Sequence, residues 1–238
     1  PLVGDIYYSD GSWSSTYDAN KTPIGVVVST NPDYCEKDQG YGHGLVMALK
    51  NASTGITDTY QWKKTRDASG VLTYKNSLKK MYEDVSGKSN TDAIGTTKDT
   101  YPAFQAIGSY KPAVPAAPAG TSGWFLPSMG QWWDVLEKVT AYNNTSLGIS
   151  SKHIENSEDL YFTTGEGTIA VSALNNVLSK NSLSPTLYDS FAAGMLFWTS
   201  SEYSASSACY LKFNAGGNLV LGYLRKTDPS CVRPFLAF

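Results

Sequence analysis

Short β-prone runs occupy both ends of the chain, and helical periodicity is confined to its middle. Gly4-Asp5-Ile6-Tyr7-Tyr8-Ser9-Asp10-Gly11-Ser12-Trp13 reads as a hairpin, with Asp10-Gly11 as the turn. The β-branched run Pro23-Ile24-Gly25-Val26-Val27-Val28 predicts a buried strand. Gly40 to Gly44 lead into a further apolar strand ending at Leu49. Residues 50–120 are polar and weakly patterned. Within them, Leu78, Met81, Tyr82 and Val85 fall at i, i+3, i+4 and i+7, which predicts a helix over Leu78–Val85. Another helix is expected between Asn90 and Ile107. Pro112 to Pro118 alternate proline with small residues and cannot be helical, so an extended internal loop is expected there.

The strongest helix signal follows. Ser128 is a good N-cap, and Gln131 three residues later completes a capping box. The helix should run to about Val139 with Trp132, Leu136 and Val139 inward. A shorter helix is predicted over Ala170–Leu178. The C-terminal stretch then reads as three strands, Ala208–Phe213, Asn218–Leu224 and Cys231–Phe238. A turn at Ala215-Gly216-Gly217 and a loop over Lys226–Ser230 join them. No period of 20–50 residues is present, which excludes a repeat architecture.

Side chains alternate across a strand. With Leu211 and Phe213 on the core, Tyr210 and Lys212 face outward. Leu219, Leu221 and Tyr223 share one face. Leu221 and Tyr223 exposed together would form an apolar binding patch; the alternative places them in the core and Val220 and Leu224 outside.

Composition narrows the function. Charged residues make up 17% of the 238, below the roughly 25% of an ordinary soluble domain. Tyr (16) and Trp (6) are abundant; they enrich binding surfaces and also pack irregular cores. The formal net charge is −2, and the short basic run Lys63-Lys64-Thr65-Arg66 is too small to suggest nucleic acid as a partner. No run of about 18 apolar residues exists to span a membrane. No secretory leader is visible, although a start at Pro1 suggests a trimmed chain that would have lost one.

Catalytic signals are lacking. His43 and His153 sit in no metal-ligand spacing, and no G-x-S-x-G elbow or phosphate-binding loop occurs. Gly40-Tyr41-Gly42-His43-Gly44 precedes a strand instead of joining strand to helix, unlike a dinucleotide loop. Glu155, Glu158, Asp159 and Glu166 contain a conceivable glycosidase pair, but read better as a solvated loop. Neither a metal nor a cofactor is expected. Cys209 and Cys231 either bridge, closing a loop worth about 3 kcal/mol, or remain buried thiols, as does Cys35.

Three blocks in order carry a resemblance. The first is Gly4–Trp13 with Lys21-Thr22-Pro23-Ile24-Gly25-Val26-Val27. The second is Gly123-Trp124-Phe125-Leu126-Pro127-Ser128-Met129-Gly130-Gln131-Trp132-Trp133. The third is Phe197-Trp198-Thr199-Ser200-Ser201-Glu202-Tyr203 with Val232-Arg233-Pro234-Phe235-Leu236-Ala237-Phe238. Together they resemble the C-type-lectin-like domains of Bacteroidetes surface proteins, related in fold to formylglycine-generating enzymes. The subset most similar is the variable proteins of diversity-generating retroelements. The resemblance implies an α+β, C-type-lectin-like fold: mixed or antiparallel sheets, two or more flanking helices and much irregular loop, in a single domain over residues 1–238. It implies a bacterial outer-surface or phage-borne location, and a non-enzymatic module whose stretch from about 197 to 238 displays the ligand surface. Its binding residues would be Tyr203, Ser206, Ser207, Tyr210, Asn214, Asn218, Leu221, Tyr223, Arg225, Asp228 and Ser230. The ligand would be a protein or a glycan, and the chain could belong to a larger surface assembly.

The variable proteins diversify mainly at Asn codons, and from Tyr203 to Cys231 only Lys212 and Lys226 lie outside the residues such codons reach. Trp198, Arg233 and Phe238 are assigned to structure, with Glu202 as the candidate partner of Arg233. An invariant lectin-like adhesin, or a pilus or surface-assembly subunit, is the alternative, although no donor strand is obvious. The close cysteine pair of the formylglycine-generating enzymes does not carry over to Cys209 and Cys231. The calcium-site loops of animal lectins are absent, so no Ca²⁺ requirement is expected.

Overall fold

The computed structural model describes residues 1–52, 59–67, 71–108, 116–147, 161–162, 165–180 and 182–238. It is an α+β structure whose principal sheets are antiparallel. The first sheet contains β1 (Ile6–Tyr8), β2 (Trp13–Ser14), β3 (Pro23–Ser29), β4 (Leu45–Ala48) and β11 (Phe235–Ala237), in the order β11-β4-β3-β1-β2. The predicted N-terminal hairpin is β1 and β2, paired Tyr7 to Trp13. The C-terminal strand β11 pairs with β4, Leu236 opposite Val46, so both ends of the chain meet in one sheet.

The second sheet runs β6-β9-β8-β7, from Tyr161–Phe162 (β6), Leu219–Arg225 (β9), Ser207–Phe213 (β8) and Leu196–Glu202 (β7). A two-stranded ribbon pairs β5 (Tyr60–Gln61) with β10 (Pro229–Ser230).

Helices fill the middle of the chain. Leu78–Tyr82 (α1) is shorter than its apolar spacing predicts. The expected helix after Asn90 resolves into two, Gly87–Ile94 (α2) and Pro102–Gly108 (α3). Gly95 ends α2 at φ +84°, a conformation side chains disfavour. Met129–Tyr142 (α4) and Glu166–Ser179 (α5) are the long helices. At the start of α4, the Gln131 side chain accepts from the Ser128 amide at 3.0 Å, as the capping box predicts. Of the predicted Pro112–Pro118 loop, residues 112–115 lie outside the described residues, as do His153, Glu155, Glu158 and Asp159.

The main core sits between the two large sheets. Trp132, Leu136 and Val139 of α4 are fully buried, as their spacing predicts. Trp132 touches both sheets: its ring lies 4.9 Å from Phe235 in β11 and 5.9 Å from Phe197 in β7. Val26 and Val28 of β3 join Leu211, Phe213, Leu219 and Leu221 around it. A smaller cluster on the other face of the second sheet gathers Trp62, Phe104, Leu126, Trp198 and Val232.

One assignment changes, and one open pair of alternatives is decided. Arg233 is buried, but the partners of its guanidinium include backbone carbonyls and not Glu202. It donates to Ala48 O at 3.0 Å, Leu49 O at 2.7 Å and Asp189 O at 2.7 Å, and it lies over the Phe191 ring. Three carbonyl dipoles and an aromatic face offset the desolvation of the cation. The three cysteines are free thiols, all buried, so Cys209 and Cys231 are not bridged.

Candidate recognition surface

Strand β8 is the axis of the C-terminal region. It pairs with β9 without a bulge, from Ser207 opposite Arg225 to Phe213 opposite Leu219. One face of this pair therefore carries Ser207, Cys209, Leu211 and Phe213 beside Leu219, Leu221, Tyr223 and Arg225. Toward the middle of the molecule this face enters the main core, and Leu211, Phe213, Leu219 and Leu221 are interred. Toward the other end the face emerges, and Tyr223 is 40% exposed.

Tyr203 follows the end of β7, and its amide donates to Ser207 O at 3.1 Å. β7 and β9 flank β8, so Tyr203 and Tyr223 meet only by reaching over it. Their rings stack at 3.7 Å between centroids, 9° from parallel. Arg225 lies two residues beyond Tyr223 on the same face. Its Nε is 3.8 Å from Asp228 Oδ2, and the Asp228 amide closes a turn onto Arg225 O at 2.9 Å. Ser206 is exposed at the tip of the β7–β8 loop. Tyr203, Ser206, Ser207, Tyr223, Arg225 and Asp228 thus form one end of the sheet.

The remaining sequence-predicted positions do not join them. Leu221 is fully buried opposite Leu211, so it cannot form an exposed patch with Tyr223. Ser230 is buried in the β5–β10 ribbon. Tyr210 is half-buried on the opposite face, against the Trp62–Trp198 cluster. Asn214 and Asn218 close the β8–β9 turn, with the Asn214 amide on Asn218 O at 2.8 Å. That turn is about 20 Å from Ser207 along β8. Val220, which the alternative arrangement exposes, is also buried, while Leu224 is half-buried.

A buried anchor lies beneath the exposed end. Lys226 and Glu202 pair with both side chains at 0% exposure. The Lys226 ammonium also donates to Ala205 O at 2.6 Å and reaches Asp67 O at 3.5 Å, 5.2 Å from the Trp62 ring centroid. Burial lowers the Lys226 pKa, and the Glu202 carboxylate opposes that shift. One cation thereby joins the β7–β8 loop, the 62–67 segment and the end of β9. Sequence reasoning missed this anchor. Its one signal was that Lys226 stands out, as a residue Asn codons do not reach, in a stretch where nearly every other residue lies within their reach. A neighbouring segment was also missed: the Lys75 amide donates to Glu202 O at 2.7 Å, laying residues 73–75 along the end of β7.

Burial raises the Cys209 pKa well above its ordinary value, which suppresses the thiolate that nucleophilic chemistry needs. Among the described residues, no group of three or more His, Cys, Asp or Glu is placed to hold a metal ion. No helix there is long and apolar enough to cross a membrane.

No family matches the chain's sequence, and no curated protein matches it. Among solved structures it is similar to a fimbrial protein from Bacteroides ovatus ATCC 8483, with a TM-score of 0.60 and 22% sequence identity. The match covers 100% of this chain and 49% of that one. At this identity the likeness shows the fold alone, and the chain spans about half the length of that fimbrial protein.

Proposed function

We propose that this chain is a non-enzymatic binding module of a bacterial surface assembly, with a lectin-like arrangement of its sheets. Its recognition end is formed by Tyr203, Ser206, Ser207, Tyr223, Arg225 and Asp228. The observation that carries the reading is the Tyr203–Tyr223 stack, a partly exposed aromatic platform beside the exposed Arg225 and its half-buried partner Asp228, fixed on a buried scaffold. Tyrosine and arginine on a rigid support give contact area and directional hydrogen bonds at low entropic cost, as binding hot spots require. The fimbrial protein of like fold supports the surface-assembly setting. A protein or a glycan fits such a surface; the slight negative charge of the chain disfavours nucleic acid.

The test is a combined protein and glycan array with the purified chain, repeated with Tyr223→Ala and Arg225→Ala. Loss of the bound partner in both variants, each still folded and unfolding cooperatively, supports the reading. Retention of every interaction by both sinks it. A diversified form of the same module ranks second, because none of the comparisons bears on diversification. Uniform 3′ ends across encoding loci, with no adjacent reverse transcriptase, exclude that form and leave the binding module standing.

A further inference from the structure

Beside the recognition end lies a cleft of about 210 Å³ lined by Thr73, Tyr74, Lys75, Lys80 and Glu83. Lys75 ties it to that end through its amide bond to Glu202 O. In a chain of net charge −2, two lysines line the cleft against one carboxylate. Each lysine is loosely held. Lys75 Nζ is 3.7 Å from Asp84 Oδ1, beyond hydrogen-bond distance. The Asp84 carboxylate already accepts from Ser201 Oγ at 2.6 Å, Asn90 Nδ2 at 3.3 Å and the Ser86 amide at 3.3 Å. Lys80 Nζ donates to the neutral Asn76 Oδ1 at 2.8 Å. Glu83, the one anionic wall residue, faces Lys79 at 3.8 Å. The half-buried Tyr74 supplies an aromatic wall and Thr73 a hydroxyl.

From this arrangement we infer that the cleft binds a carboxylate-bearing sugar residue, with Lys75 and Lys80 on the carboxylate and Tyr74 against the ring. The volume is below the roughly 300 Å³ of a drug-sized pocket, the scale of one sugar ring. The half-buried Lys75 and the exposed Lys80 attract an anion without the planar fork that arginine gives. The inference rests on this end of the molecule being the recognition end, but it uses none of the residues that carry that reading.

The experiment is a two-dimensional amide NMR titration of the intact chain with sialyllactose, glucuronic acid, lactose, acetate, inorganic phosphate and an oligoglutamate peptide. The two acidic sugars are expected to shift the amides of Tyr74, Lys75 and Lys80, with a Kd on the order of 1 mM. Lactose, acetate, phosphate and peptide should leave them in place. Lys80→Gln, on an exposed side chain, should weaken binding roughly two- to fivefold, and so should added salt. Lys75→Gln should do the same with melting verified. Shifts of equal size from lactose, peptide, acetate or phosphate overturn the inference. So does an absence of shifts from both acidic sugars at about 10 mM, or unaltered affinity in both lysine variants. Tyr223→Ala should leave the sugar response intact, which separates failure of this inference from failure of the recognition end.

Discussion

Lys226 donates to Glu202 across the space between the end of β9 and the end of β7, and neither side chain reaches solvent. Ala205 O and Asp67 O share the same ammonium. A buried ion pair adds little net stability, because desolvating both charges consumes most of the attraction. Its consequence here is positional: three segments that carry or border the exposed end are referred to one atom.

Breaking that pair from one side leaves an uncompensated buried charge. Lys226→Met should cost about 3–5 kcal/mol, read from urea unfolding. The double variant Lys226→Met with Glu202→Leu should cost less than the single one, since no charge is stranded. Amide hydrogen exchange in residues 203–207 and 62–67 should quicken in the single variant. A double variant no more stable than the single would show that the pair is not the anchor.

Leu221 and Tyr223 test where the core ends along β9. They share a face two residues apart, yet Leu221 is fully buried and Tyr223 is 40% exposed. Leu221→Ala should lose about 2–5 kcal/mol by removing a packed side chain and leaving a cavity. Tyr223→Ala should lose about 0.5–1.5 kcal/mol, the worth of an aromatic pair at partial exposure. A double-mutant cycle with Tyr203→Ala should return coupling of that same size. Equal losses at Leu221 and Tyr223 would contradict the placement of the boundary.

These contrasts mark what the sequence made legible. The inward face of α4 followed from the spacing of Trp132, Leu136 and Val139, because helical periodicity is local. The alternation along β8 followed from its residues in the same way, with Leu211 and Phe213 inward. The division between Leu221 and Tyr223 did not. They share a face, and what separates them is where the core packed against β9 ends, a boundary that tertiary structure sets. Arg233 was legible as buried, but its partners Ala48 and Leu49 lie 185 and 184 residues away and offer only carbonyls, which no side-chain pattern announces. The separation of Asn214 and Asn218 from the exposed end followed from hairpin length, which treating residues 203–230 as one surface overlooked.

Burial raises the pKa values of Glu36, Asp134 and Glu137. Asp134 keeps hydrogen bonds from Ser29 and from Asn31 at 3.2 Å, which oppose the shift without reversing it. A carboxyl with a raised folded-state pKa binds its proton more tightly in the native than in the unfolded chain. Its contribution is full below the unfolded value of about 4 and is lost as pH rises through the folded value. Stability from these groups should therefore fall as pH climbs from about 4 toward neutrality. Asp10 and Asp67 shift downward and act in the opposite sense, but both are exposed and screened by salt. Asp134→Asn should flatten the pH dependence of the melting temperature at moderate salt. An unchanged slope would show that Asp134 titrates alike in both states.

Gly130 sets local propensity against packing. It occupies the first turn of α4, where alanine is favoured over glycine by about 1 kcal/mol on propensity alone. A Cβ at that position would stand 2.3 Å from Tyr82 O and 2.6 Å from Asp84 O, both backbone atoms. The Gly130 amide also donates to Asp84 O at 2.9 Å, so the two segments cannot separate without losing that bond. Asp84 in turn accepts from Ser201 in β7 at 2.6 Å. Displacement of the 82–84 turn would thus reach the strand that leads to Tyr203. Gly130→Ala should destabilise by about 1–3 kcal/mol, the usual range for overpacking. That corresponds to a fall in melting temperature of about 2–4 °C per kcal/mol in a chain of this size. Ser179→Ala, at the exposed last position of α5, serves as the control and should change stability by less than about 0.5 kcal/mol. A rise in melting temperature for Gly130→Ala would mean that α1 and α4 approach less closely than 2.3 Å implies, and that helix propensity governs this turn.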